Sequence, residues 1–259
     1  MTAPRSMSAA GLVAASAALA LTLAPTGPSA AQELENPKSD FVDNLPPQVW
    51  VSVVERTERG HRIGKPEADA QLIEFISYTC GHCADFAKQS DGTLDLRAIG
   101  PGYIAVEVRP VIRNYLDLVV TMLAQCGDPA GFKNRHRAFL YSQDVWLQKA
   151  INAPQSQQAI WARGGPEARS NAARALDLDD VLIQSGQTVP QVNACLADQA
   201  KAQEIIANDR ADRTQFGITG TPTFALNGET LKGVHDWPAL ASTLQEAFRP
   251  EPQESVTGG

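Results

Sequence analysis

Cys80 and Cys83 stand two residues apart, with Gly81 and His82 between them. This spacing lets both sulfurs lie within one helical turn, close enough to form and break a disulfide. Ahead of the pair, Gln71 to Ser77 is a compact apolar run with one acid, Glu74, inside it, as in a buried strand. Behind it, Ala84, Phe86 and Ala87 continue with helical spacing. A cysteine pair that follows a strand and opens a helix is a redox arrangement. The free N–H groups of the helix start favour a thiolate on Cys80. A charged His82 helps further, so the Cys80 pKa is expected below the free value of about 8.5. A stabilised thiolate favours the reduced form and makes the disulfide more oxidising. Cys80 is expected to be the exposed, attacked sulfur and Cys83 its buried partner. Two other readings exist. A structural disulfide closing so tight a loop stabilises little. A zinc site needs two more ligands, and His61, His136 and His235 show no metal-ligand spacing. The redox reading calls for no metal and no cofactor.

The elements that must hold this pair are legible in outline. Val49 to Val54 alternates as a first strand, and Arg59 to Pro66 reads as a loop. Tyr103 to Val108 alternates as another strand. From Tyr115 the spacing turns helical for about a hundred residues. Gly127 stops the first helix, Asp128-Pro129 starts the next, and Leu176 to Ile183 and Val189 to Leu196 read as short helices. Ala202 to Phe216 is a helix closed by Gly217. Thr223 to Leu226 then meets Glu229 to Lys232 across Asn227-Gly228, a strong hairpin signal. Asp236 caps a last helix from Trp237 to about Phe248. The chain is therefore α/β, with the helical block inserted between strands.

The ends are different in kind. Residues 1–31 read as a signal peptide: Arg5 is the only charge, Ala9 to Ala24 is apolar, and Ser29-Ala30-Ala31 offers a cleavage site. The apolar run is shorter than the roughly 20 residues of a membrane-spanning helix. Cleavage shifts the formal charge from −7 to −8, because Arg5 is the only charge lost. That sign argues against a nucleic-acid partner. Residues 32–47 read as a flexible tether and residues 249–259 as a disordered tail. Export gives the two remaining cysteines meaning, since disulfides persist outside the cytoplasm. Cys126 and Cys195 lie at ends of expected helices, and a bond between them closes a loop of about seventy residues, stabilising by about 4 kcal/mol on chain-entropy reasoning. Such a bridge is structural, or it tunes the active pair or passes electrons to it.

Glu74-Phe75-Ile76-Ser77-Tyr78-Thr79-Cys80-Gly81-His82-Cys83-Ala84-Asp85-Phe86 resembles the active-site segment of DsbA-like periplasmic oxidoreductases. Gly217-Ile218-Thr219-Gly220-Thr221-Pro222-Thr223-Phe224 resembles the family's segment that sets a cis-proline beside the cysteines. The likeness covers roughly residues 60–248. It implies a thioredoxin-like fold with an inserted helical domain: residues 48–113 and 206–248 form the thioredoxin-like part and residues 114–205 the insertion. It further implies that Pro222 is cis, where the bare residues allow an ordinary trans turn, and that the Thr221 backbone pairs with an extended substrate. Glu74 matches the family's buried acid, which assists proton transfer at Cys83; without the likeness it is equally an edge acid or a base's partner. Some DsbA-like proteins carry a second disulfide in the insertion, as Cys126 and Cys195 would.

The leader makes the protein periplasmic or secreted, and the roughly thirty residues between it and the first motif are too few for the separate dimerisation domain of dimeric bacterial isomerases, so a monomer is expected. Its expected partners are cysteine-containing exported proteins and, as the likeness implies, a membrane redox partner. The leading expectation is a dithiol oxidase. Gly81-His82 and Thr221 look more like the isomerase branch, so an isomerase or reductase fed with electrons is the alternative, and a non-catalytic peptide-binding chaperone is the third.

Overall fold

A computed structural model describes residues 47–248. The expected signal peptide, the expected tail and all of the expected tether but Pro47 lie outside the described residues. The frame is one six-stranded sheet in the order β1-β2-β4-β3-β5-β6. Its strands are β1 (Val54–Arg56), β2 (His61–Ile63), β3 (Ala70–Ile76), β4 (Ile104–Pro110), β5 (Thr223–Leu226) and β6 (Glu229–Thr230). The central pair, β3 and β4, runs parallel, with Glu74 opposite Val108, and helix α1 (Gly81–Leu94) connects them. The other pairings are antiparallel.

Every β3 residue except Gln71 is buried, as expected for a central strand covered on both faces. Its alternate residues feed two cores. Leu72 and Ile76 join Phe86 of α1 and much of the helical block on one face. Ile73 and Phe75 join Val111, Phe216 and Ile218 on the other. Period-two alternation along a strand produces this division.

Eight helices separate β4 from β5: α2 (Tyr115–Ala124), α3 (Phe132–Tyr141), α4 (Gln143–Asn152), α5 (Gln155–Ala162), α6 (Gly165–Ala175), α7 (Asp180–Gln184), α8 (Val189–Ala197) and α9 (Gln199–Phe216). The last, α9, is unbroken, so a boundary at 205/206 falls inside a helix. It ends where Gly217 takes a left-handed φ of 64°. Helix α10 (Trp237–Ala247) follows β6, with the Asp236 carboxylate accepting from the Ala239 amide at 2.9 Å.

Four local expectations need correction. Val49 to Val54 is not a strand: Pro47–Ser52 forms a 3-10 turn that buries Trp50, and β1 begins only at Val54. Its apolar alternation serves the packing of a turn. The presumed loop at 59–66 contains β2, which pairs with both β1 and β4. The charged residues hid it, and Gly60 allows it: a Cβ there would sit 2.1 Å from the Val108 carbonyl oxygen. Leu176 to Ile183 is not one helix. Leu176 ends α6, Asp177 turns with φ 55°, and Leu176 and Leu178 are buried as core anchors across the break. The return strand of the hairpin is only Glu229–Thr230, short of Lys232.

Candidate active site

β3 stops at Ile76, and three residues, Ser77 to Thr79, lead into α1. Each is held by the helical block. Asp117, fully buried in the first turn of α2, accepts from Ser77 Oγ at 2.8 Å, the Thr79 amide at 2.9 Å and the Arg113 amide at 2.9 Å. Burial pushes its carboxyl above the usual range, and these donors pull the other way. Tyr78 Oη and His136 Nδ1 of α3 are hydrogen-bonded at 3.0 Å. Burial lowers the His136 pKa to about 3, so this imidazole is neutral. Gln143 of α4 donates from Nε2 to the carbonyls of Tyr78 (2.7 Å) and Cys80 (2.9 Å).

Cys80 is the N-cap of α1, with extended backbone angles of −93° and 117°. Its thiol donates to the Thr221 carbonyl oxygen at 3.2 Å, and neither it nor Cys83 is disulfide-bonded. The pair is strongly asymmetric. The Cys80 pKa falls to about 4, first because the Cys83 thiol donates to its sulfur, against the penalty of burial. The Thr221 side chain and the backbone N–H groups of Cys83 and His82 lower it further. The sulfur closes no conventional cap hydrogen bond, so these amides act as nearby dipoles at the helix start. Cys83 moves the other way, pushed well up by burial and by the neighbouring Cys80.

His82 is exposed, and its peptide N–H is among the groups favouring the Cys80 anion. One expectation changes here. Cys80 is not openly exposed: it is 6% accessible against 0% for Cys83. The helix start buries both sulfurs and leaves the first only slightly open.

The Thr221–Pro222 peptide bond is cis, and Thr221 meets Cys80 from 141 residues away in sequence. His235 Nδ1 lies 2.8 Å from the Pro222 carbonyl oxygen, so a residue ahead of α10 also touches this segment. Glu74 is buried on the α1 side of the sheet beside a small cavity lined by Asp91, Asp95, Lys133, His136 and Arg137. Burial, then the like charge of Asp91, raises its pKa to about 8 despite Arg137. Among the described residues no hydrogen bond joins Glu74 to Cys83. Cys126 and Cys195 form a disulfide apart from this cluster, linking the end of α2 to α8.

Sequence reasoning missed Asp117, His136, Gln143 and His235 as neighbours of the site. Only Asp117 left a signal: Asn114 and Asp117 have capping-box spacing, and both reciprocal hydrogen bonds form. Nothing in the sequence ties Gln143 to Cys80.

The sheet, the cysteine pair at the head of α1, the neighbouring cis-proline and the helices between β4 and β5 define a thioredoxin-like protein. A family model described as Thioredoxin matches residues 56–246, and the chain belongs to that family. It resembles the crystal structure of a protein-disulfide isomerase from Novosphingobium aromaticivorans, with a TM-score of 0.70 and 30% identity over 73% of this chain and 97% of that one. The fold is shared with Wolbachia pipientis alpha-DsbA1, at a TM-score of 0.57 and 20% identity over 71% of this chain and 88% of that one. A Rickettsia conorii protein that carries the name protein-disulfide oxidoreductase is 30% identical over 64% of this chain and 52% of its own length. The chain thus spans little more than half of that relative. No helix among the described residues is long and apolar enough to cross a membrane.

Proposed function

We propose that the protein is an exported thiol:disulfide oxidoreductase that passes a Cys80–Cys83 disulfide to cysteine-containing exported proteins. The observation that carries this reading is the cysteine pair at the head of α1, with slightly open Cys80 against the Thr221 carbonyl and Cys83 fully buried behind it; the opposed acidity of the two thiols agrees with it. A substrate thiolate attacks Cys80 in the oxidised enzyme; the Cys80–Cys83 bond breaks and a mixed disulfide forms at Cys80. A second substrate thiol, deprotonated, attacks the substrate sulfur and releases Cys80 as its stable thiolate. The substrate loses two electrons and the enzyme gains them, with Cys83 taking up a proton. The slightly open Cys80 suits attack, and the Thr221-Pro222 edge beside it suits an extended peptide. Glu74, poised near neutrality, is the group we assign to proton traffic in the interior beneath the pair.

The same reading makes residues 48–113 and 206–248 the thioredoxin-like part and 114–205 the inserted holder of its active loop, acting as a periplasmic or secreted monomer reoxidised by a membrane partner. It assigns Cys126–Cys195 to structure. A second reading, isomerase or reductase, is favoured by Gly81-His82, by Thr221 and by the name of the Novosphingobium protein.

Equilibration of the Cys80–Cys83 couple against glutathione separates them. A potential near about −120 mV supports the oxidase, and one at or below about −200 mV replaces it with the isomerase or reductase.

A further inference from the structure

We infer that Gln143 is a positioning residue for exchange at Cys80: its amide, reaching out of α4, holds the Tyr78 and Cys80 carbonyls and fixes the turn that presents the sulfur. The inference rests on the exchange reading above.

Gln143 is only 5% accessible, and its two hydrogen bonds to the active loop are both buried. It spends both N–H groups on the active loop, at 2.7 Å to Tyr78 and 2.9 Å to Cys80. The Cys80 carbonyl already begins α1, accepting from the Cys83 and Ala84 amides at 3.1 and 3.2 Å. A helix-starting carbonyl ordinarily serves its own helix. Here it also takes a donor from a side chain 63 residues further along the chain. The effect is to fix the Cys80 peptide in its extended N-cap conformation, and that conformation sets where Sγ stands against the amides of His82 and Cys83. That placement favours the anion, and so the reduced state. A hydrocarbon at 143 offers no donor, and a carboxylate would set negative oxygens against two carbonyls.

Gln143→Met keeps the volume and removes both donors. The full chain, with Cys126–Cys195 intact, is equilibrated with glutathione, and the Cys80 thiolate is titrated by its ultraviolet absorbance. The expected result is about a tenfold loss in the equilibrium constant for reduction by glutathione, which is about 30 mV for two electrons, with the titration midpoint moved up. A folded variant with wild-type potential and midpoint overturns the inference, leaving Gln143 as packing alone. If the Met variant does not fold, Gln143→Glu is read by the same two measurements with the same expected direction. A wild-type protein whose Cys80–Cys83 pair does not exchange with glutathione removes the exchange reading itself, and this inference with it.

Discussion

Asp117 of α2 and Thr79, the residue before Cys80, are joined by two hydrogen bonds, from the Thr79 amide at 2.9 Å and from its hydroxyl at 3.1 Å. The same carboxylate takes Ser77 Oγ and the Arg113 amide. One buried acid therefore ties the approach to the cysteines to the start of the helical insertion. Asp117→Ala leaves several buried donors unpaired, each costing roughly 1–3 kcal/mol. We expect urea unfolding at pH 7 to show a loss on the order of 3 kcal/mol. A loss under about 1 kcal/mol means that water replaces the carboxylate without penalty.

Because the Cys83 thiol is the largest influence lowering Cys80, replacements at 83 should grade the acidity. Cys83→Ala removes the donor and raises the Cys80 midpoint clearly above about 4. Cys83→Ser keeps a hydroxyl donor and raises it less. Alkylation rate against pH reads both, and identical profiles for the two variants would show that donation from residue 83 is not the cause.

The depressed Cys80 pKa also makes the stability of the reduced protein depend on pH. A thiol titrating lower folded than unfolded stabilises most above its unfolded pKa of about 8.5, and this is lost as pH falls through about 4. The oxidised protein has no such thiol. The stability gap between reduced and oxidised forms should narrow from pH 8 to pH 4. A gap constant across that range contradicts the assigned acidity.

Glu74 has the opposite sign. Its pKa is raised to about 8, so its contribution is fully present below the unfolded value near 4.5 and is lost as pH rises through about 8. Glu74→Gln should flatten the stability profile between pH 5 and 8 and stabilise the protein at pH 8 by on the order of a few kcal/mol. An unchanged profile means that Glu74 stays ionised and solvated.

Cys126 and Cys195 are 69 residues apart in sequence, and a closed loop of that size restrains the unfolded chain by about 4 kcal/mol. The Cys126→Ser, Cys195→Ser double variant should melt lower by several degrees in non-reducing buffer. Unchanged melting with an altered Cys80–Cys83 potential would move this bridge from structure to regulation.

What the sequence reveals here depends on how local the cause is. The cysteine pair, the Gly217 stop, the Asn227-Gly228 hairpin and the Asp236 cap each act within a few residues, and each can be read from its neighbours. β2 is different: three residues with a charge in the middle become a strand only because β1 and β4 flank them. Gln143 is more extreme, since its partners are more than sixty residues away.

Helix α9 runs unbroken from Gln199 to Phe216. Along it, Asp209 accepts from the Ile112 amide, Asp212 meets both Arg59 and Arg109, and Phe216 rests against Phe75. The insertion is therefore not a detachable module. Excising residues 114–205 would cut this helix in its first half and remove the holders of Ser77, Tyr78 and Thr79 with it. A shortened chain would keep both cysteines and lose the scaffold that makes them unequal.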